Sequence, residues 1–176
     1  MAETIEQANP LTKEDVLAIL DGHGMEYEIV EHPAALTVDD LDGFDLWFAD
    51  DVVKNLFLRD DKKRNYYLVS MPDHKRVPLK GIQQALDSRK LQFASEKDLA
   101  AKLGLYPGAV NPLGALNDAA CEVQFILDEE SAAREFIGCH PCDNTASVRI
   151  RMADLLKLLE EHGTPVRVVK LEAPEE

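Results

Sequence analysis

The sequence predicts an α/β (α+β) protein, built as a mixed, largely antiparallel curved sheet with flanking helices. Two observations predict this fold class. Segments with the apolar spacing of a helix are interleaved with short segments that alternate as strands do. Two of the strand-like segments, 52–58 and 66–71, are separated only by a seven-residue polar connection of the kind that closes a hairpin. Because a hairpin makes an antiparallel pair, a purely parallel, doubly wound sheet is disfavoured.

The first predicted elements are a helix over about 12–22 and a strand over 27–31. Thr12 begins a helix-start signature, and the apolar face that follows it stops at a pair of glycines. The strand alternates and is cut by His32-Pro33, because the residue before a proline is restricted in its backbone conformation. We also expect Thr37 to cap a short helix.

In the middle of the chain, strands 52–58 and 66–71 are expected to pair with each other. Pro78 precedes the next helix, and Ser95 opens another, which Gly104 ends by adopting the left-handed backbone of a helix terminus. The elements after the hairpin are, in chain order, helix 79–86, helix 95–104, a loop rich in glycine and proline over 104–114, a strand over 121–127, a turn or short helix near 129–133, strands over 135–139 and 145–151, a helix over 152–162 ended by Gly163, and a strand over 166–171.

We expect a single domain over residues 1–176, with a core of about 11–171 and flexible ends. The 176 residues, 45% of them apolar, suffice for one ordinary core, and the sequence has no internal repeat or low-complexity linker. No stretch approaches the roughly 20 apolar residues that cross a bilayer. The amino terminus lacks the regions of a secretory signal, and three cysteines are a sparse set for a secreted scaffold. A cytoplasmic protein without a membrane partner is therefore expected.

The net charge of −14 disfavours a protein that coats nucleic acid indiscriminately, and no DNA partner is expected. The charge is uneven, however, because basic residues are concentrated in one middle stretch. A basic face there would suit phosphate, but such a run is also typical of a solvated surface, and both interpretations stay open. The stretch contains Lys62, Lys63, Arg64, His74, Lys75, Arg76, Lys80, Arg89 and Lys90.

Common catalytic signatures are absent, since the sequence has no G-x-S-x-G elbow, no phosphate-binding loop and no H-E-x-x-H. Cys139-His140-Pro141-Cys142 has the C-x-x-C spacing of a redox site. It lies late in the chain, however, and runs into a turn and a strand instead of opening a helix. A structural zinc site needs four ligands, and only three are clustered here. We therefore expect neither a metal nor a cofactor.

Three segments differ from generic packing sequence, and together they resemble the YbaK family of aminoacyl-tRNA editing domains. They are the run K-N-L-F-L-R-D over 54–60, the loop G-A-V-N-P over 108–112, and H-P-C-D-N-T over 140–145. The family includes the insertion domain of bacterial prolyl-tRNA synthetases and the free-standing ProX (PrdX) proteins. The resemblance spans about 11–169, and because the chain has no synthetase catalytic region, it is similar to the free-standing branch.

The resemblance implies that Lys54 and His140 lie in the editing pocket. The charge of the lysine suits the terminal adenosine phosphate or a developing oxyanion, and the imidazole suits the amino-acid end of the pocket, where it could position the substrate ammonium, the water or the carbonyl. Asn55 is expected to bind the substrate by a hydrogen bond. From the residues alone, a lysine within a strand is usually at a sheet edge, and a histidine before a proline is usually a turn residue.

The loop that matches the family pattern G-x-x-x-P begins at Gly108, whose backbone can approach a ligand closely. Its free N–H groups are expected to hold the ester carbonyl or the ribose, although the pattern alone is common in ordinary loops. Asn144 and Thr145 are expected to fix the turn that carries His140. The substrate-binding set implied by the resemblance is Asn55, Ala109, Val110, Asn111, Pro112, Asn144 and Thr145, beside the catalytic set Lys54, Gly108 and His140.

The resemblance implies ester hydrolysis without a covalent enzyme nucleophile, because an aminoacyl ester is already activated and needs only a positioned water and a stabilised oxyanion. It implies a trans-editing deacylase for alanine mischarged on tRNA(Pro), with a terminal ribose hydroxyl assisting the water. The expected partner is the acceptor end of that tRNA, delivered by prolyl-tRNA synthetase or an elongation factor. Two alternatives stay open: a deacylase for cysteine or another small residue, and a non-catalytic module that binds aminoacyl-tRNA or a synthetase.

Overall fold

A computed structural model describes residues 10–35 and 46–173 of the chain. Two short 3-10 helices, Ala49–Asp51 and Pro112–Asn117, accompany the regular elements. In chain order the regular elements are α1 (Lys13–Gly22), β1 (Tyr27–Glu31), β2 (Val53–Asp60), β3 (Tyr66–Pro72), α2 (Leu79–Leu86), β4 (Leu91–Phe93), α3 (Glu96–Leu103), β5 (Val123–Asp128), α4 (Glu129–Ala132), β6 (Phe136–Cys139), β7 (Ala146–Arg151), α5 (Met152–His162) and β8 (Val166–Val169).

The strands of the described residues form two sheets, which confirms the mixed, largely antiparallel architecture. The smaller sheet has the order β1-β7-β6, and both of its pairings are antiparallel. The larger sheet has the order β4-β2-β3-β5-β8. Its first two pairings are antiparallel, including the predicted hairpin of β2 with β3, and its last two are parallel. The sequence did not indicate the division into two sheets.

The two sheets meet at one isolated parallel bridge, between Val52 and Gly138. The largest apolar cluster draws side chains from both sheets and from α1, α3 and α5, and a second cluster lies between β2, β3 and α2. Successive residues of β3 alternate between these clusters: Leu68 packs in the first, and Tyr67 and Val69 in the second. Because both faces of β3 are buried, its sequence is an almost continuous apolar run and does not alternate with polar residues.

Local signals fix the helix ends where the sequence predicts them. Thr12 and Asp15 form a reciprocal capping box at the start of α1, and the Ser95 side chain accepts from the backbone N–H of Asp98 at the start of α3. Gly104 and Gly163 end α3 and α5 with φ of +62° and +99°, which glycine adopts without steric cost.

Three expectations about elements are corrected. The short edge strand β4 was not predicted, because three residues are too few to show a period. The strand predicted from 121 begins at Val123, since Cys121 has a left-handed φ of +52° that does not belong to a strand. The last strand ends at Val169, two residues before the predicted end.

The helix start predicted at Thr37 lies outside the described residues. Within the described ranges, no helix combines the length and apolar character needed to cross a bilayer.

Candidate active site

Two His-Pro dipeptides lie at one edge of the smaller sheet. β1 and β6 both pair antiparallel with β7, so they run parallel to each other and end at the same edge. His32 follows β1 directly and His140 follows β6, and their ring centroids are 5.9 Å apart. Both contact the start of β7: His140 bonds to the Ala146 carbonyl, and His32 to the Ser147 hydroxyl, each over 2.8 Å. His32 is not among the site residues predicted from the sequence, although it shares with His140 the signal of a His-Pro after a strand.

The environment of His140 keeps its imidazole neutral. Burial lowers the pKa of His140 below its ordinary value, and His32 adds to this, while the bond to Ala146 and the charge of Asp143 oppose it. A carbonyl oxygen only accepts, so Nδ1 of His140 carries the proton that is donated to Ala146. The lone pair therefore lies on Nε2, which no residue of the described ranges engages. An imidazole in this state can accept a proton or a hydrogen bond.

Hydrogen bonds inside the turn 140–145 fix its shape, as expected from the sequence. The Asp143 carboxylate accepts from the backbone N–H and the hydroxyl of Thr145, at 2.8 and 2.6 Å. These bonds lower the pKa of Asp143, which holds it ionised. Asn144 donates from its amide to the Ala35 carbonyl at 3.0 Å. The side chains of Asn144 and Thr145 thus bind the protein itself.

Gly108 occupies the third position of a β-turn, where glycine is required. Ala109 N–H donates to the Tyr106 carbonyl over 3.0 Å, Pro107 is at the second position, and Gly108 has φ of +91°. This is the arrangement of a type II turn, which needs a left-handed residue at its third position. Among the described residues no acceptor pairs with the N–H groups of Gly108 and Val110. Two backbone donors are therefore available at this loop.

The end of the same loop is held by Asn111, which is fully buried. Its amide donates to the Ala109 carbonyl at 2.7 Å, and its Oδ1 accepts from the Leu113 N–H at 2.8 Å. Pro112 begins the 3-10 helix that Asn111 caps. Both polar groups of this side chain are thus committed to the loop. Ala109 is also fully buried, and its N–H and carbonyl are both hydrogen-bonded within the loop, so it presents no free group to a substrate.

The structure brings the 108–112 loop and the 140–145 turn together. The Tyr106 hydroxyl donates to Oδ1 of Asn144 at 3.1 Å and accepts from the Asn144 backbone N–H at 3.3 Å. The side chains of Asn111 and Cys142 also interact. The two motifs lie roughly 30 residues apart in the chain, and these contacts make them one unit. Tyr106, like His32, is not among the site residues predicted from the sequence.

Lys54 and His140 both lie close to the junction between the sheets. Each follows the parallel bridge of Val52 with Gly138 by two residues, Lys54 within β2 and His140 directly after β6. The Lys54 ammonium donates to the Lys75 carbonyl. Burial lowers the pKa of Lys54, and the nearby charge of Arg76 lowers it further.

Asn55 is directed to the opposite face of β2 from Lys54. Its Oδ1 accepts a hydrogen bond from the Ser70 hydroxyl on β3, and its amide donates to the Val53 carbonyl at 3.4 Å. The structure therefore separates these two neighbours.

Three clefts are lined by described residues, with volumes of about 700, 350 and 260 Å³. Lys54, Gly108 and His140 line none of these three clefts. The evidence that the 108–112 loop and the 140–145 turn belong to one site is therefore the set of contacts between them, and not a shared cleft.

The cysteines of the C-x-x-C are core residues and not a redox pair. Cys139 and Cys142 are free thiols with 3% and 8% of their surfaces exposed. Burial raises the pKa of Cys139 to about 12 and that of Cys142 to about 11. Protonated thiols are poor nucleophiles and poor metal ligands. Across the described ranges, no three side chains of histidine, cysteine, aspartate or glutamate cluster as metal ligands do.

Comparisons with known proteins identify the family. The family model for the aminoacyl-tRNA editing domain matches residues 32–158. The chain is 38% identical over 159 residues to the prolyl-tRNA editing protein ProX of Acetoanaerobium sticklandii, which covers 90% of this chain and 97% of that protein. It is 36% identical over 145 residues to prolyl-tRNA synthetase associated domain-containing protein 1 of Danio rerio, which covers 81% of this chain and 78% of that protein.

A solved structure agrees with this result at the level of fold. The crystal structure of a candidate trans-editing enzyme for prolyl tRNA synthetase is similar with a TM-score of 0.65 at 22% identity, over 92% of this chain and 99% of that one. The resemblance inferred from the three sequence segments is confirmed, because the family match contains all of them. The chain belongs to the aminoacyl-tRNA editing domain family, with a YbaK-like fold, and is an aminoacyl-tRNA ester hydrolase of that family.

Proposed function

We propose that this protein is a trans-editing deacylase that removes alanine from mischarged tRNA(Pro). The observation that supports the proposal most directly is the contact between the 108–112 loop and the 140–145 turn. The loop has two backbone N–H groups without an acceptor among the described residues, and the turn contains the imidazole of His140, whose pKa is lowered. The relatives of this chain include a protein named for prolyl-tRNA editing. The ProX-like resemblance supports tRNA(Pro) as the substrate.

The chemistry needs little from the protein. An aminoacyl ester is already activated, so hydrolysis requires a positioned water and stabilisation of the oxyanion that forms when water adds to the carbonyl. In our proposal the N–H groups of Gly108 and Val110 and the ammonium of Lys54 hold the ester oxygens. The Nε2 lone pair of His140 holds the water or the substrate ammonium. A terminal ribose hydroxyl of the substrate assists the water.

The other predicted residues are assigned to the support of these groups. Asn111 and Pro112 hold the loop, and Asn144 and Thr145 hold the turn, through the contacts described above. Asn55 and Ala109 are assigned to support as well, because Asn55 bonds to Ser70 and Val53 and both backbone groups of Ala109 bond within the loop. The assignment follows from burial, because a buried amide whose donor and acceptor are both satisfied has little left to offer a ligand.

Size selects the amino acid in this proposal. A synthetase that accepts proline cannot exclude the smaller alanine by binding alone, and a second site that admits only small side chains removes the error. Cysteine and serine are the alternatives, because they differ from alanine by a single polar atom. The test is deacylation of tRNA(Pro) charged in turn with alanine, cysteine, serine and proline. We expect alanine to be released fastest and proline to be spared. Release of cysteine in preference to alanine would replace the proposed substrate.

Lys54 is tested by replacing it with alanine. Removal of one oxyanion-stabilising group typically lowers kcat by about 10²–10³-fold, and we expect Lys54→Ala to lose kcat in this range in single-turnover deacylation. Lys80→Ala is the matched control, because Lys80 is an exposed lysine on α2. A Lys54→Ala variant that retains the wild-type rate would remove Lys54 from the mechanism.

A further inference from the structure

Tyr106 presents a fixed aromatic ring to solvent. The residue is 46% exposed. Both hydrogen bonds of its hydroxyl go to Asn144, one to the side chain and one to the backbone. Within the described residues no aromatic or cationic group stacks on the ring. A ring held in place by its hydroxyl loses little conformational entropy when a ligand stacks on it.

The position of the ring points to the nature of this ligand. Tyr106 opens the type II turn that contains Gly108, and its hydroxyl contacts the turn that carries His140. The ring therefore borders both segments that hold the ester in the proposed function. The ester is attached to the ribose of the terminal nucleoside, so the base of that nucleoside is one sugar away from the reacting bond. A side chain that meets this base has to lie beside the ester site, as Tyr106 does.

We propose that Tyr106 is the stacking platform for the base of the terminal adenosine of the tRNA. This inference rests on the proposed function, since it takes the substrate to be a nucleoside ester. Unpaired bases at RNA ends are bound by stacking on aromatic side chains, and stacking does not depend on the charge of the protein. Such binding suits a chain with a net charge of −14, in which attraction to phosphate is weak.

The rival explanation is that Tyr106 only ties the two turns together. Two variants separate these roles. Tyr106→Phe keeps the ring and removes both hydroxyl bonds, whereas Tyr106→Leu removes the hydroxyl bonds and the ring face alike. The probes are two non-hydrolysable amides: 3′-alanylamino-3′-deoxyadenosine, and the same alanyl amide on a sugar that lacks the base. Binding of each probe is measured by calorimetric titration, with circular dichroism to confirm the fold of each variant.

We expect Tyr106→Leu to weaken binding of the adenosine probe by about 5- to 150-fold, the range that one stacked base contributes. Tyr106→Phe should bind that probe within a few-fold of the wild type. The probe without a base should bind the wild type and Tyr106→Leu equally. In deacylation, Tyr106→Leu should raise KM with little change in kcat, because stacking acts equally on substrate and transition state.

Two results would overturn the inference. Equal losses of Tyr106→Leu on both probes would show that the ring only supports the turns. No loss on either probe would show that the base lies elsewhere. Failure of the proposed function is distinguishable, because it appears as absence of deacylation by the wild type, whereas the titrations with the two probes still report on stacking.

Discussion

His140 connects the geometry of one residue to the pH dependence of the enzyme. Burial and the neighbouring His32 push its pKa below the ordinary 6.5, whereas the negative charge of Asp143 pushes it upward. The proposed mechanism uses the neutral imidazole. The rate should therefore rise with pH through the pKa of His140, and the midpoint of this rise should lie below pH 6.5. The same shift costs stability as the pH falls from about 6.5, the value in the unfolded chain, to the lower pKa of the folded state, because over that range the unfolded state binds more protons than the folded state.

Asp143→Asn tests this assignment at the residue scale. The substitution removes the charge and keeps an oxygen that can accept from Thr145. Because the Asp143 charge raises the pKa of His140, its loss should lower that pKa further and move the acidic limb of the pH–rate profile to lower pH. The measurement is kcat/KM from pH 4.5 to 8 for both proteins. A limb that moves to higher pH would contradict the electrostatic account.

Asn111 is a second residue whose buried amide allows a quantitative prediction. Asn111→Ala removes the cap of the 3-10 helix and leaves the Ala109 carbonyl without its donor. Loss of a cap and of a buried hydrogen-bond partner each costs about 1–2 kcal/mol. We expect the free energy of unfolding to fall by about 2–4 kcal/mol in urea titrations. A change below about 1 kcal/mol would show that water replaces the amide.

At the scale of elements, the basic stretch is neutralised at some residues and not at others, and the turn between β2 and β3 is one of the places where it is not. Arg89 pairs with Asp61 at 2.7 Å, and Lys75 pairs with Asp128 at 2.8 Å and with Glu130 at 3.4 Å. In contrast, no described acid pairs with the three exposed residues of the turn, Lys62, Lys63 and Arg64. The turn lies eight residues beyond Lys54, or about 26 Å along an extended strand. It can therefore meet the body of a tRNA but not the ester.

Reversal of these three charges to glutamate should separate tRNA binding from chemistry. We expect the triple variant to lose kcat/KM on alanyl-tRNA, and to lose the salt dependence of that reaction, because fewer phosphate contacts release fewer counterions. Hydrolysis of alanyl-adenosine should be unchanged. The matched control reverses Lys97, Lys157 and Lys170, which are exposed elsewhere in the chain and change the net charge equally. Equal losses on both substrates, or an equal loss in the control, would count against this surface.

At the scale of the whole molecule, the Val52–Gly138 bridge is the point at which the two sheets are joined in register. A Cβ at Gly138 would lie 2.9 Å from Cγ2 of Val52, 3.2 Å from its backbone nitrogen and 3.3 Å from Cδ2 of Phe48. Two of these contacts involve side chains, but the nitrogen belongs to the bridging backbone and cannot move without shifting β2. The sheets would then separate slightly two residues before both Lys54 and His140.

Gly138→Ala is therefore expected to affect stability and activity together. Overpacking of this kind costs about 1–3 kcal/mol, and displacement of the reacting groups should also lower kcat in the folded protein. Gly22→Ala is the control, because a Cβ there has no heavy atom within 4 Å and alanine favours the helix. Thermal unfolding and deacylation are measured for both. Full activity in Gly138→Ala would show that the site does not depend on the junction.

The sequence by itself determined the helices, most of the strands, the β2–β3 hairpin and the family. Those features depend on residues a few positions apart: the capping pair at Thr12, the glycines at 104 and 163, and the period of apolar side chains. The three family segments are likewise short runs that are read directly from the chain.

Only the tertiary structure decided how these pieces meet. It placed β5 parallel to both β3 and β8, divided the strands into two sheets, and directed Asn55 away from Lys54. It also set His32 beside His140, and the ring of Tyr106 between the two motif segments. The physical reason is that period, caps and turns are local, whereas these contacts join residues tens of positions apart. Such pairings are determined by the packing of a shared core, and they cannot be predicted from the spacing of residues within one segment.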